Sequence, residues 1–308
     1  MSTLLVRVPI RRIALLLVLS SLPAAAQPNR VFVSALTGND ANSCVNINTP
    51  CQTFQGAVNQ VAAGGSIIVL TTGGYGAVTI GKALTIEAPT GVIAFIHPAS
   101  GNAITVNAGA SDVVVLRGLS LNVGVGDGIA FSAGAVLQVE HCVLNGFNNA
   151  ITHQGSGLLI VKDTTIRTSI VGISMGTGSA SSTSRATIER TRVKSGQYGL
   201  LAGSGASITI RASNISGNLQ EGLVVDSHQG GATSELNVED CVVAHNGTGI
   251  ESLAYSGGTA NVRVSNSTVA YNNIGLRQNG GSLFSRTNNT AEGNTTDTLG
   301  TITSYSAK

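Results

Sequence analysis

Tryptophan is absent from the 308 residues, proline occurs 6 times, and aromatic residues make up 4% of positions. Charge is also scarce, with 10% of residues ionisable as Asp, Glu, Lys or Arg and a formal balance of +2. So few charges exclude the basic stripe of a nucleic-acid binder. Few aromatics leave little surface on which sugar rings stack. Disorder needs low apolar content or high net charge, and 42% hydrophobic residues exclude it for the bulk of the chain. What the chain does have is glycine, at 39 positions, and short aliphatic alternations between them.

One longer apolar run occurs, Ile13 to Leu22. Arg7, Arg11 and Arg12 precede it, and Ala24-Ala25-Ala26 follows as a small-residue cleavage site before Gln27. Residues 1–26 therefore read as a secretory signal peptide. The run is too short to span a bilayer comfortably, and no second one follows, so no transmembrane anchor is expected after its removal. Removal leaves 14 basic against 15 acidic residues, a near-neutral chain with no general pull toward nucleic acid or anionic lipid. The expected location is secreted, periplasmic or cell-surface.

Two of the four cysteines, Cys44 and Cys51, bracket the segment CVNINTPC. In an exported chain this spacing reads as a local disulfide. Two free thiols or a metal pair are the alternatives, and no other Cys or His lies nearby to complete a metal site.

Self-similarity carries the fold. A segment of the form Leu-x-Val-x-x-small-x-Ile recurs, beginning at Val114, Leu137, Leu159, Ala186, Ile208, Leu236 and Val262. Each copy is followed by a turn and then a Gly-Ile-like pair, starting at Gly128, Ala150, Gly172, Gly199, Gly222, Gly249 and Gly275. The steps run from 22 to 27 residues. Inward positions at offsets 0 and 2 define a strand, the two outward residues after them a bend, and offsets 5 and 7 a second strand. The Gly before Ile is expected to let the chain turn tightly into a third strand. One such coil cannot bury its own apolar row, but coils stacked about 4.8 Å apart can. The predicted fold is all-β, a parallel β-helix with three strands per coil, in which Ile129, Ile151 and Ile173 pile in one interior column.

Residues 52–63 carry Phe54, Ala57, Val58 and Val61 at helical spacing, with Gly64-Gly65 as the stop. They predict a short N-terminal capping helix. The expected organisation is a signal peptide (1–26), an N-terminal strand, disulfide loop and capping helix (27–65), the β-helix (66–285), and a C-terminal cap or frayed tail (286–308). Asn218, Asn246 and Asn272 share one register and predict a hydrogen-bonded ladder. Cys142 and Cys241 share another, roughly 19 Å apart at 4.8 Å per coil, too far for a disulfide. They read as small buried apolar residues. His153, in a place held by Phe131 and Met175 on adjacent coils, reads as a buried, hydrogen-bonded histidine.

The segments VFVSALTGND, PCQTF, AVNQVAAGGSIIVL and TTGGYG, with the later EHCVLNGFNNAI and EDCVVAHNGTGI, resemble secreted right-handed parallel β-helix proteins of the pectate-lyase-like superfamily. The likeness spans about residues 31–280. The resemblance implies right-handed winding. It also implies company that includes polysaccharide lyases, glycoside hydrolases, phage tailspikes and surface proteins of no known activity. Lyases of that group commonly hold calcium with an acidic cluster; this sequence has no Asp-x-Asp and no grouped run of carboxylates.

Other motifs fail on context. GISMG at 172–176 matches Gly-x-Ser-x-Gly, but Ser174 falls in a repeated strand. GAVTIGKA at 76–83 lacks the hydroxyl residue of a phosphate loop. Offset 3 gives Arg117, Glu140, Lys162, Glu189, Arg211, Glu239 and Ser265, an alternating column that pairs unlike charges on neighbouring coils. Offset 4 adds His141, Asp163 and Arg190, which together with Glu140, Lys162 and Glu189 form the leading candidate for sugar-acid binding or proton transfer. A solvated ion-pair network is the competing reading of the same residues. Asp226, Glu251 and Arg277 form a second, weaker group. No metal or other cofactor is implied. The function expected from these features is an exported scaffold binding a polysaccharide or cell-surface glycan without catalysis. The alternatives are a polysaccharide lyase or hydrolase using His141, Asp163 and Arg190, and a structural adhesin or fibre subunit.

Overall fold

The computed structural model describes residues 27–176, 183–228 and 230–306. The segment expected to be a signal peptide lies outside the described residues. The chain winds through three parallel sheets of 12, 10 and 9 strands, one strand per sheet in each regular coil. A representative coil runs from Val136–Glu140 in the twelve-stranded sheet, through Val143–Asn145 in the nine-stranded sheet, to Asn149–His153 in the ten-stranded sheet.

The repeat positions stack as the spacing requires. Val114, Leu137, Leu159, Ala186, Ile208, Leu236 and Val262 are successive Cα partners. Ile104, Ile129, Ile151, Ile173, Leu200, Leu223, Ile250 and Leu276 form a second unbroken column. All are buried, so the core is a set of aliphatic columns running along the solenoid axis. Burying each such side chain is worth about 1.5–3 kcal/mol, and stacking coils is the only way this chain gathers that energy.

Both bends of each coil use a left-handed residue. At the first, Gly118, His141, Asp163, Arg190, Ala212, Asp240 and Asn266 have φ between 46° and 71°. At the second, Val123, Gly146, Thr168, Ser195, Gly217, His245 and Tyr271 have φ between 39° and 77°. Non-glycine residues there cost roughly 1–2 kcal/mol each. Buried side chains just past the first bend offset that cost. Thr164, Thr191, Ser213 and Ser267 donate their hydroxyls to the carbonyl two residues back at 2.8–3.0 Å. Cys142 and Cys241 occupy this same position, and their thiols donate to Glu140 and Glu239 carbonyls at 3.3 and 3.1 Å. These cysteines are therefore buried stand-ins for Ser and Thr, and burial pushes their thiols up to about 12 and about 11.

Two local expectations need correction. The repeated glycines do not sit in the left-handed region; a Cβ on Gly172, Gly199 or Gly222 would come within 2.4–2.7 Å of the carbonyl oxygen of the next coil's glycine. Close stacking, not turning, requires them. The helix covers only Phe54–Gln60, starting from Thr53, whose hydroxyl accepts from the Gly56 N–H at 3.0 Å. It ends before the glycines because Val61 is already extended and Ala62 donates to the Pro28 carbonyl. The stretch after 285 adds strands Thr296–Leu299 and Ile302–Ser304 to two of the sheets.

At the N-terminal end, Arg30–Val33 pairs in parallel with Gly65–Val69, and the helix buries Phe54, Ala57 and Val58, with Phe54 stacked on Tyr75 at 4.8 Å. Cys44 and Cys51 are disulfide-bonded, with Cα atoms 5.1 Å apart. Asp40 accepts from the Gln52 and Thr53 N–H groups and the Thr53 hydroxyl, which together outweigh its partial burial and hold its carboxyl below the usual range.

Candidate functional site

The offset 3 residues sit where the spacing puts them, at the end of each strand of the twelve-stranded sheet, as successive Cα partners. Glu87, a partner of Arg117, extends the alternation by one coil. Arg117 bonds Glu140 at 2.9 Å and reaches Glu87 at 3.6 Å; Arg211 bonds Glu189 at 2.9 Å.

His141, Asp163 and Arg190 occupy the left-handed corner on three successive coils. Arg190 takes both oxygens of Asp163, at 2.8 and 3.0 Å, and also pairs with Glu189. That bidentate bond holds the Asp163 carboxyl below its ordinary range, and Arg190 and Arg211 hold Glu189 down despite partial burial. His141 is exposed and borders an open depression of about 370 Å³ with Arg117, Pro89 and Val92. Ser174 lies mid-strand in Val171–Met175, and His153 is buried against Phe131 at 4.5 Å, its ring nitrogen 2.9 Å from the Gly157 carbonyl. Burial holds the His153 ring below its ordinary pKa.

A different arrangement occupies the outer face of the ten-stranded sheet. Glu251 is Cα partner to Arg277 and is 3% exposed, although its position alternates outward from the core residue Ile250. Its two oxygens face Arg277 at 3.5 Å and the Asn279 amide at 3.0 Å. On the preceding strand, Glu221 is half-buried and one of its oxygens, Oε2, is shut from solvent with no hydrogen-bond partner among the described residues. Burial, reinforced by the Glu251 charge, pushes Glu221 up, while Arg277 pulls the other way. Tyr198, one strand further back, donates its hydroxyl to Gln220 and is itself pushed up by burial and by Glu221 and Asp226. Two carboxyls on adjacent strands thus have different surroundings: Glu251 is bonded to a cation and an amide, while Glu221 is raised by burial and by the Glu251 charge.

Of the weaker sequence group, Glu251 and Arg277 come together. Asp226 does not join them: its register partner is Leu253, and its carboxylate faces His228 at 3.4 Å. Sequence reasoning missed Glu221 and Tyr198. A signal existed, because the residue just before each repeated glycine forms its own outward column, in which Asp127 and Glu221 place carboxylates.

Three strands per coil, two left-handed bends and aliphatic columns define a parallel β-helix. The family model described as "Right handed beta helix region" matches residues 127–296, more than half of the chain, and the chain belongs to that family. Among solved structures, pectate lyase Pel9A is 13% identical, with 92% of this chain and 80% of that one aligned at a TM-score of 0.65. The enzymatically active domain of tailspike protein 2 from bacteriophage CBA120 is 14% identical, over 82% of this chain and 43% of that one, at 0.56. XylC in complex with xylose is 10% identical, over 81% and 69%, at 0.52. These likenesses establish the fold. No curated protein sequence matches the chain. Among the described residues no helix is long and apolar enough to cross a membrane.

Proposed function

We propose that this chain is an exported β-helix that binds a polysaccharide on the outer face of its ten-stranded sheet, around Glu221, Glu251 and Arg277, without chemistry. The observation that carries this reading is Glu221: a half-buried carboxyl with an unpartnered oxygen among the described residues, on the outer face of the sheet, one strand from a second carboxyl held by Arg277 and Asn279. Unsatisfied groups of this kind cost stability unless they serve a ligand. The oxygens of such a carboxyl can accept hydrogen bonds from sugar hydroxyls. A pectate lyase and a xylose complex on the same fold support a glycan as the ligand class, and the disulfide supports export. Co-sedimentation of the purified chain with a panel of plant and bacterial polysaccharides tests the reading. Retention that falls in a Glu221→Gln, Glu251→Gln double variant is the expected result; no retention by any polysaccharide overturns it.

A second reading rests on the same two carboxyls. A carboxyl raised by burial on one strand and a second, bonded to a cation, on the next resemble the paired carboxyls of glycoside cleavage. Release of reducing ends or unsaturated products at enzymatic rates, abolished by Glu221→Gln, would replace binding with catalysis. The corner group His141, Asp163 and Arg190 belongs to this test as a comparison. Asp163→Ala is expected to leave any such activity intact, since Arg190 occupies both Asp163 oxygens.

A further inference from the structure

The outer face of the nine-stranded sheet breaks the charge rule that the neighbouring corner keeps. Along the corner, from Glu87 to Glu239, each charge lies opposite one of the other sign. On the next face, Arg167 and Lys194 are direct Cα partners on adjacent strands, and Arg192, on the same strand as Lys194, partners Thr165. All three cations are exposed, and among the described residues none forms an ion pair. Like charges directly opposite on a sheet are destabilising. A chain that alternates sign through seven coils leaves, among the described residues, three cations without an ion pair on the face one bend away.

Their surroundings suit a sugar chain. Asn145, Asn214 and Ser216 flank them on the strands to either side, offering hydrogen-bond donors and acceptors in the same outward columns. Arg192 and Asn214 also line an open depression of about 520 Å³ that continues to Asp163, Arg190 and Asp240. No aromatic side chain occupies the outward positions of this sheet from Ser120 to Ala244, so the stacking platform of a single-stranded nucleic-acid site is missing. Adjacent strands repeat at about 4.8 Å, a step comparable to one sugar residue in an extended chain. A polymer carrying a carboxylate on each sugar, laid along the axis, therefore brings carboxylates within reach of the long side chains of Arg167 and Lys194.

We infer that this face, centred on Arg167, Arg192 and Lys194, docks a carboxylated polysaccharide strand lying along the solenoid axis. The inference rests on the reading of the protein as a glycan binder but uses a different face, so the two can fail separately. The test is calorimetric titration of the full chain with polyglucuronate, with a neutral β-glucan, and with dextran sulfate, at low and at moderate salt. Polyglucuronate binding that weakens about tenfold or more in an Arg167→Ala, Lys194→Ala variant is expected, since two charge-assisted contacts are lost. It should also weaken as salt rises. The variant should retain or slightly raise Tm, because a like-charge pair has been removed; a fall of several degrees would mark the pair as structural and overturn the inference. Equal binding of polyglucuronate by variant and wild type, no binding of it at all, or binding of dextran sulfate alone would also overturn it. So would a DNA oligonucleotide binding as tightly through the same residues. If the Glu221→Gln, Glu251→Gln variant loses a neutral glycan yet keeps polyglucuronate, the two faces are separate sites.

Discussion

The side-chain oxygen of Asn272 accepts two hydrogen bonds from Asn246, one from its backbone N–H at 2.8 Å and one from its Nδ2 at 3.0 Å. Asn246 does the same for Asn218, at 3.0 and 2.9 Å, and Asn294 for Asn272, both at 2.9 Å. Each amide closes the second bend of one coil and ties it to the next, and those of Asn218, Asn246 and Asn272 are buried. Asn246→Ala leaves the buried N–H and Nδ2 of Asn218 without their acceptor. We expect a loss of about 3 kcal/mol, read as a lowered urea midpoint, with hydrogen exchange accelerated most in the coils around residues 214–276.

The glycine column makes a steric prediction. A Cβ at Gly222 would lie 2.7 Å from the Gly249 carbonyl oxygen and 2.9 Å from the Asn246 Nδ2. Gly222→Ala must push two coils apart or displace a ladder amide, and overpacking of this kind costs about 1–3 kcal/mol. Thermal unfolding of Gly222→Ala beside Gly231→Ala checks it. Gly231 has nothing within 4 Å but a φ of +80°, so it reports backbone strain alone.

The aliphatic columns were legible in the sequence because a stacked coil repeats its inward offsets whatever the loop between copies does. The charge alternation was legible for the same reason. The bends were legible only as places: their left-handed residues include Arg190, Thr168, Val123 and Tyr271, a set with no common side-chain chemistry. The site was harder still. Glu221 pairs with Thr248 and Glu251 with Val224 across coils whose lengths differ, so the place of the two carboxyls relative to each other depends on how each loop resets the register. Asp226, placed with Glu251 by sequence position, goes to His228 because the pairing runs Val224 to Glu251.

Glu221 gives the pH dependence. Its folded carboxyl is pushed above the ordinary glutamate value by burial and by Glu251. The folded state therefore holds that proton more tightly than the unfolded chain does. The stability it contributes is full below the unfolded pKa, about 4.3, and is lost as pH rises through the raised folded value. Glu221→Gln removes this loss, so at pH 7 the variant should melt higher than wild type and the difference should shrink toward pH 4. Asp40 runs in the opposite direction, since its lowered carboxyl contributes stability above its unfolded pKa that disappears on acidification. Asp40→Asn should therefore lower Tm at pH 7 and less so near pH 3.

The Cys44–Cys51 bridge closes a loop with a sequence separation of 7 beside the first coil. Chain-entropy arguments assign a loop this short about 2.5 kcal/mol. Reduction is expected to lower Tm by that equivalent and to expose Phe54 and Tyr75 first, followed by tyrosine fluorescence. A Cys44→Ser, Cys51→Ser variant should behave as the reduced protein does.

Glu140 stands between Arg117 and Lys162 as Cα partner of both, with Arg117 at 2.9 Å. The attraction is reciprocal, since the Glu140 hydrogen bond raises the Arg117 guanidinium above its ordinary value. Glu140→Lys would set three cations on consecutive coils. Cross-strand charge pairs are worth some tenths of a kcal/mol each, so reversing two of them should cost about 1–2 kcal/mol. Because the column is solvent-facing, most of that cost should vanish in 1 M NaCl, where the Debye length falls to about 3 Å. Glu140→Gln, which removes the attraction without adding repulsion, should lose about half as much. If urea midpoints at low and high salt show Glu140→Lys no worse than Glu140→Gln, the alternation does not hold the coils in register.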